Sequence, residues 1–436
     1  VGSHIVDGEI EDLSVKGRTA AVELARRTLT ALEAIDTASL SRENQIDDAI
    51  LRNQLKSDIW STETLQSWAW DPQVYGQLAG GSIYTLMARE FAPLPERLKS
   101  ATLRMEKLPA LFAQARENLD PARVPLIHAE TVAKQHGGIL GLVDQFITPN
   151  LGQLGDEDKE RAENAIANLR IAVAEHQKWL DETLVPNAKG DFRIGAALYD
   201  QKLAFALNSP LGRGEIKQRA EAELTRVRAE MYGIARAVLA DQPKAPEMPE
   251  QPTPEQQQAG IAAALELAYA DRPARDKVVE LATASTERAT AFVREKGLIT
   301  LPESPVKIIL MPEFQRGVSV AYCDSPGPLD KHLDTFYAVS PIPDDWSDEQ
   351  VDSFLREYNT RSIEELSIHE AMPGHFLQIA HSNKHPSTLR AVLSSGSFVE
   401  GWAVYSEKMM VDAGYLDNDP LFKLINLKWY LRVITN

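Results

Sequence analysis

The sequence predicts a mainly α fold: a large helical body around a deep cleft, with a small antiparallel β-sheet next to late helices rich in His and Glu. Three observations predict it. Apolar residues recur at helical spacing through almost all of residues 1–297. β-Branched runs are few, short and confined to residues 306–340. The 436 residues are 44% hydrophobic and 25% charged, a globular balance with enough apolar mass for one large domain or two ordinary ones.

Residues 7–35, 41–59 and 156–184 carry apolar positions one helical face apart, with charged residues between them. Ser41 and Asp156 are the side-chain types that cap a helix start. Pro93, Pro95, Pro109 and Pro186 read as punctuation at helix starts and ends. A further amphipathic helix over 213–239 completes a helical region of residues 1–240. Residues 241–258 carry Pro243, Pro246, Pro249, Pro252 and Pro254. They read as an exposed loop or linker, a surface excursion in preference to a domain boundary. Residues 259–436 form the remaining region, continuous with 1–240 in one fold, and begin with two helices reaching Lys296. Three short strands follow at 306–310, 318–322 and 335–340, the last two separated by Asp324-Ser325-Pro326-Gly327-Pro328. Helices return at 347–358, 362–381, 397–411 and 421–436.

The formal net charge is -17, from 63 acidic and 46 basic residues, and no basic cluster is interleaved with aromatics. That excludes a nucleic-acid binder and disfavours docking on anionic membranes. The single cysteine, Cys323, allows no intrachain disulfide and no all-cysteine zinc site, so a metal would need His, Asp or Glu. No apolar run is long enough to span a bilayer. Val1-Gly2-Ser3-His4 has the pattern of an expression-tag remnant, and the last helix carries no stop signal, so the chain reads as part of a longer protein.

The chemistry concentrates in His369-Glu370-Ala371-Met372-Pro373-Gly374-His375 and, 25 residues after His375, Glu400. Two His four residues apart share a helix face and can hold zinc, with a Glu beside the first as general base. Here the spacing is six, which on a regular helix turns about 600° and leaves the rings about 120° apart. Pro373 and Gly374 are the residues to break that helix, so the break would swing His375 back toward His369. Glu400 and Glu407 lie two turns apart on one face. One carboxylate can ligate while the other orients a His. Glu400 is assigned as ligand and Glu407 as the group behind a His. His369, His375 and Glu400 with an open fourth position make a catalytic zinc arrangement. His128, His136, His176, His332, His381 and His385 lack such company and read as packed or solvated residues.

Residues 358–378, with their HEAMPGHFLQ core, resemble the bacterial family called domain of unknown function 885. Its members carry lipoprotein descriptions and a thermolysin-like H-E-A-x-P-G-H motif. FVEGWAVYSE at 398–407 is similar to the family's second motif, and GDFRIGAALYDQKLAFALNS at 190–209 is similar more loosely. The likeness covers the second half of the chain well and the first 150 residues only in helical character. It implies a gluzincin-like zinc peptidase, periplasmic or lipid-anchored. The Phe398-Val399-Glu400 step also resembles the third-ligand helix of thimet-oligopeptidase-like enzymes, favouring Glu400 over Glu407. Phe376 follows the first motif here, so no extra ligand is available there.

The expected activity is hydrolysis of short peptides, with Glu370 as general base and Tyr405 or Tyr337 as donor to the oxyanion. The strand at 335–340 is expected to pair with an extended peptide substrate. The alternatives are a metal-dependent amidohydrolase acting on a non-peptide amide and a non-catalytic helical binding protein.

Overall fold

The computed structural model describes residues 2–330 and 332–436; Val1, part of the tag-like opening, lies outside the described residues. Helices α1 (Val15–Glu33) and α2 (Arg42–Trp60) pack together, capped by Ser14 and Ser41. Helix α1 starts at Val15 rather than at residue 7, because Asp12 accepts the Ser14 N–H and turns the chain first. Helices α3 (Gln73–Met87), α4 (Leu94–Asn118), α5 (Leu126–Gln135) and α6 (Asp156–Trp179) bury one apolar core, in which Leu98, Met105 and Leu108 have no exposed surface. Pro109 lies inside α4 instead of at its end. A proline there forfeits one backbone hydrogen bond, and burial of the adjacent Leu108, Leu111 and Phe112 outweighs the loss. Gly155, not Asp156, caps α6; Asp156, Glu157 and Asp158 fill its first turn, where their charge suits the helix dipole.

Helices α7 (Ala196–Leu207), α8 (Arg213–Val238) and α9 (Pro254–Tyr269) follow. The proline-rich stretch between α8 and α9 is tethered to them: Tyr232 donates its hydroxyl to the Pro249 carbonyl (2.9 Å), and Met248 packs over Gly260. It ends earlier than residue 258, because Thr253 and Gln256 form a reciprocal cap on α9. Helix α10 (Val278–Lys296) stops at Gly297, which takes the left-handed conformation at φ 61°.

Strands β1 (Lys307–Leu310), β2 (Ala321–Asp324) and β3 (Phe336–Val339) form one sheet in the order β1-β3-β2. The sheet is mixed, not antiparallel: β3 runs parallel to β1 and antiparallel to β2. The chain turns back through β2 before β3 inserts between the two, so β3 regains the direction of β1. Every residue of β3 is buried and both of its edges are paired. It therefore has no free edge for a peptide, and the expectation for residues 335–340 is overturned.

Helices α11 (Asp348–Glu357), α12 (Thr360–Glu370), α13 (His375–Ser382), α14 (Gly396–Asp412) and α15 (Pro420–Thr435) complete the chain. Helix α12 runs through the middle, packed against α10, α14, α15 and β2, and every residue from 362 to 368 is buried. Among the described residues, no helix is long and apolar enough to cross a membrane.

Candidate metal centre

The six-residue spacing is resolved by a break between α12 and α13. Helix α12 ends as Ala371 leaves helical geometry (φ -119°, ψ -81°), and the Met372–Pro373 bond is cis. The Gly374 N–H then returns to the Ile368 carbonyl (2.9 Å). A Cβ on Gly374 would lie 1.9 Å from the His369 carbonyl oxygen. Glycine is thus required for close approach, not for a positive φ, since its φ is -76°. Trp402 of α14 donates its indole N–H to the Pro373 carbonyl (2.9 Å), fastening the break to the helix that carries Glu400.

The result brings the three predicted donors together. One ligand atom from each of His369, His375 and Glu400 falls within 4.8 Å of the other two. The Glu400 carboxylate is 3.6 Å from His369 Nε2 and 3.7 Å from His375 Nε2. Two donors on a tetrahedral zinc stand about 3.3 Å apart, so these side chains fit such an ion with small closing movements. Behind them, His369 Nδ1 lies 2.6 Å from Glu407. A carboxylate only accepts, so Nδ1 carries the proton and Nε2 is left for the metal. The two rings meet edge to face at 4.6 Å.

Burial and charge set the titration of this group. Burial opposes the charged form of His369, but Glu400 and Glu407 outweigh it and raise its pKa to about 10. Burial and the neighbouring His369 lower His375 to about 4. Burial raises Glu370 to about 7; His369 opposes that rise, Glu400 adds to it, and a hydrogen bond from the Cys323 backbone opposes it. The neighbouring His369, with its Nε2 3.6 Å away, lowers Glu400 against the burial that raises it, and His375 adds to the lowering. Burial raises the Cys323 thiol to about 12, so it stays protonated.

Tyr337 is fully buried in β3, with its hydroxyl 3.4 Å from that of Ser367. Tyr405 follows Glu400 by five residues, about 140° round α14, is 56% exposed and packs on Trp402. Sequence reasoning missed Glu365. This carboxyl has no exposed surface, accepts from Asn426 (2.6 Å) and is pushed well above its usual range by burial and then by Glu407. Its position one helical turn before His369, on the same face, was the available signal.

A cavity of about 1050 Å³ opens onto His369 and Glu370. Residues 318–321, leading into and starting β2, form one of its walls. Other walls come from α5, from the segment after β3, and from α11 and α15.

The model of a family described as bacterial protein of unknown function (DUF885) matches residues 1–436. A structure described as "a putative lipoprotein of unknown function" from Shewanella oneidensis is 31% identical, with a TM-score of 0.74. The match covers 99% of this chain and 77% of that one. A second, described as "the putative lipoprotein" from Colwellia psychrerythraea, is 17% identical with a TM-score of 0.67 and shows a shared fold. It covers 98% of this chain and 75% of that one. No curated protein matches.

Proposed function

The chain belongs to the DUF885 family, a family of unknown function, and we propose from the site itself that it is a zinc-dependent peptide hydrolase. The observation that carries the reading is the convergence of His369, His375 and Glu400 within 4.8 Å, with the Glu370 carboxyl close enough to feel the charges of His369 and Glu400, and with His369 and Glu370 facing a cavity. A zinc ion held by these three would polarise a carbonyl and acidify water. Glu370, with a pKa near neutrality, suits a group that takes a proton from the attacking water and passes it to the leaving amine. Glu407 holds His369 in the tautomer that presents Nε2.

The peptide would lie on β2, replacing the role first expected of β3. Ser340 N–H bonds the Val320 carbonyl (2.8 Å), so in this antiparallel pair residues 320, 322 and 324 face β3. Ala321 and Cys323 then turn their backbone groups outward. The Cys323 N–H is directed to the Glu370 carboxylate, and Ala321 lines the cavity. A strand added at this edge would run past the general base. Export and lipid anchoring are proposed on the descriptions of the two neighbouring structures.

Metal analysis of purified protein, together with a mixed peptide library and a panel of small amides, tests the reading. Stoichiometric zinc and peptide cleavage lost in Glu370→Gln are expected. Cleavage of small amides alone would replace the reading with the amidohydrolase, and absence of both metal and turnover with the binding protein.

A further inference from the structure

The cavity is not uniformly polar. Beyond His369 and Glu370 it is walled by Trp346, Phe354, Tyr358 and Trp429, with Leu366 and Val404 beside them. The four aromatics form a continuous contact chain. Trp346 meets Phe354 edge-on at 5.6 Å, Phe354 stacks on Tyr358 at 4.8 Å, and Tyr358 meets Trp429 edge-on at 6.3 Å. All four are only partly buried. In a chain of net charge -17, large aromatic surfaces turned into a cavity carry a hydration cost that an apolar occupant would remove.

Position ties this wall to the reacting centre. Leu366 precedes His369 and Glu370 by about one turn of α12 and lines the same cavity, about 6 Å along the helix from Glu370. Val404 sits between Glu400 and Glu407 on α14. An extended peptide advances about 3.4 Å per residue, so the ~6 Å along the helix between Glu370 and Leu366 corresponds to one or two peptide residues.

We propose that the Trp346–Phe354–Tyr358–Trp429 wall is a specificity pocket that takes a large apolar or aromatic side chain next to the bond to be cut. The inference rests on the peptidase reading for its substrate, but not for its measurement. Filling a pocket of this kind with Phe rather than Ala is worth at least about tenfold in affinity.

The test has a binding arm and a cleavage arm. The purified protein is titrated with N-acetyl-phenylalanine amide and N-acetyl-alanine amide, following fluorescence of the wall tryptophans and heat of binding. The phenylalanine compound is expected to bind at least about tenfold tighter. Val404→Phe, which fills the pocket without opening a cavity in the core, and Phe354→Ala should each remove most of that difference while zinc content is unchanged. Equal binding of the two amides, or a difference unaltered in both variants, overturns the pocket. In the cleavage arm, cut sites in a peptide library should be enriched in Phe, Leu, Met or Trp on one side of the bond. Cleavage without that enrichment sinks the pocket and leaves the peptidase standing. Phenylalanine-amide binding that depends on Val404 and Phe354, without any cleavage, sinks the peptidase and leaves the pocket.

Discussion

Two histidine pairs in this molecule bring their rings to similar separations in different surroundings. In the N-terminal core, His136 and His176 meet at 4.9 Å and 62°; at the candidate centre, His369 and His375 meet at 4.6 Å and 86°. Around the first pair stand Phe112, Trp179 and the Val173 carbonyl, with Arg116 at 3.3 Å from His176. Around the second stand Glu370, Glu400 and Glu407. Burial lowers His136 to about 4, and burial together with neighbouring positive charge lowers His176 to about 3, whereas carboxylates raise His369 to about 10. Proximity of imidazoles therefore says little by itself. The acidic company decides whether a pair favours a cation or excludes one.

That contrast can be broken most sharply by metal content. His369→Ala should abolish stoichiometric zinc, whereas His176→Phe should leave it intact, as measured by elemental analysis. Zinc retained in the first variant, or lost in a folded second variant, ends the distinction. Next in size, Glu370→Gln should lower peptide turnover by about 10²–10⁴-fold with zinc still bound, since only the proton carrier changes. Turnover within threefold of the parent would show that Glu370 is not that carrier. A smaller effect is expected at Glu407→Ala, where losing the partner of His369 Nδ1 should weaken zinc about 10–100-fold in a chelator competition. Unchanged affinity would mean that α12 alone orients the ring.

The smallest effect sharpens the other side. The folded-state pKa values of His136 and His176 lie below the ordinary value of 6.5, so the unfolded chain binds more protons. Their contribution to stability is whole above about pH 6.5 and declines as pH falls toward 4. His176→Phe should lose about 2 kcal/mol of the difference in unfolding free energy between pH 8 and pH 5, read by urea titration at both. An equal acid response in the variant would exonerate the ring.

The same contrast explains what could be read from the chain alone. His369, Glu370, His375 and Glu400 stood out because an adjacent Glu and a helix-breaking Pro373-Gly374 accompany an unusual spacing. The return of His375 toward His369 needed only the local rule that such an insert ends a helix, whereas Glu400 comes from a separate helix and was picked out by the resemblance of its segment. The sheet was harder. Runs at 306–310, 318–322 and 335–340 signal strands, but strand order depends on packing between distant segments, and nothing in those residues marks β3 as central. Pro109 misled for a related reason: local propensity argued for an end, and burial on both sides overrode it. Glu365 escaped notice because a Glu in an amphipathic pattern normally faces water, and only the arrival of α14 and α15 over α12 encloses it.

The hydrogen bond from Trp402 to Pro373 gives the centre a shared strut. One rigid indole joins the backbone that delivers the second imidazole to the helix that delivers the carboxylate, two residues from Glu400. The same turn is tied to α12 by the Gly374 N–H on the Ile368 carbonyl, so the second imidazole is anchored to both helices that supply the other two donors. An ion loaded here would meet a carboxylate almost equally distant from both imidazoles, at 3.6 and 3.7 Å, with each donor braced by backbone of a different helix.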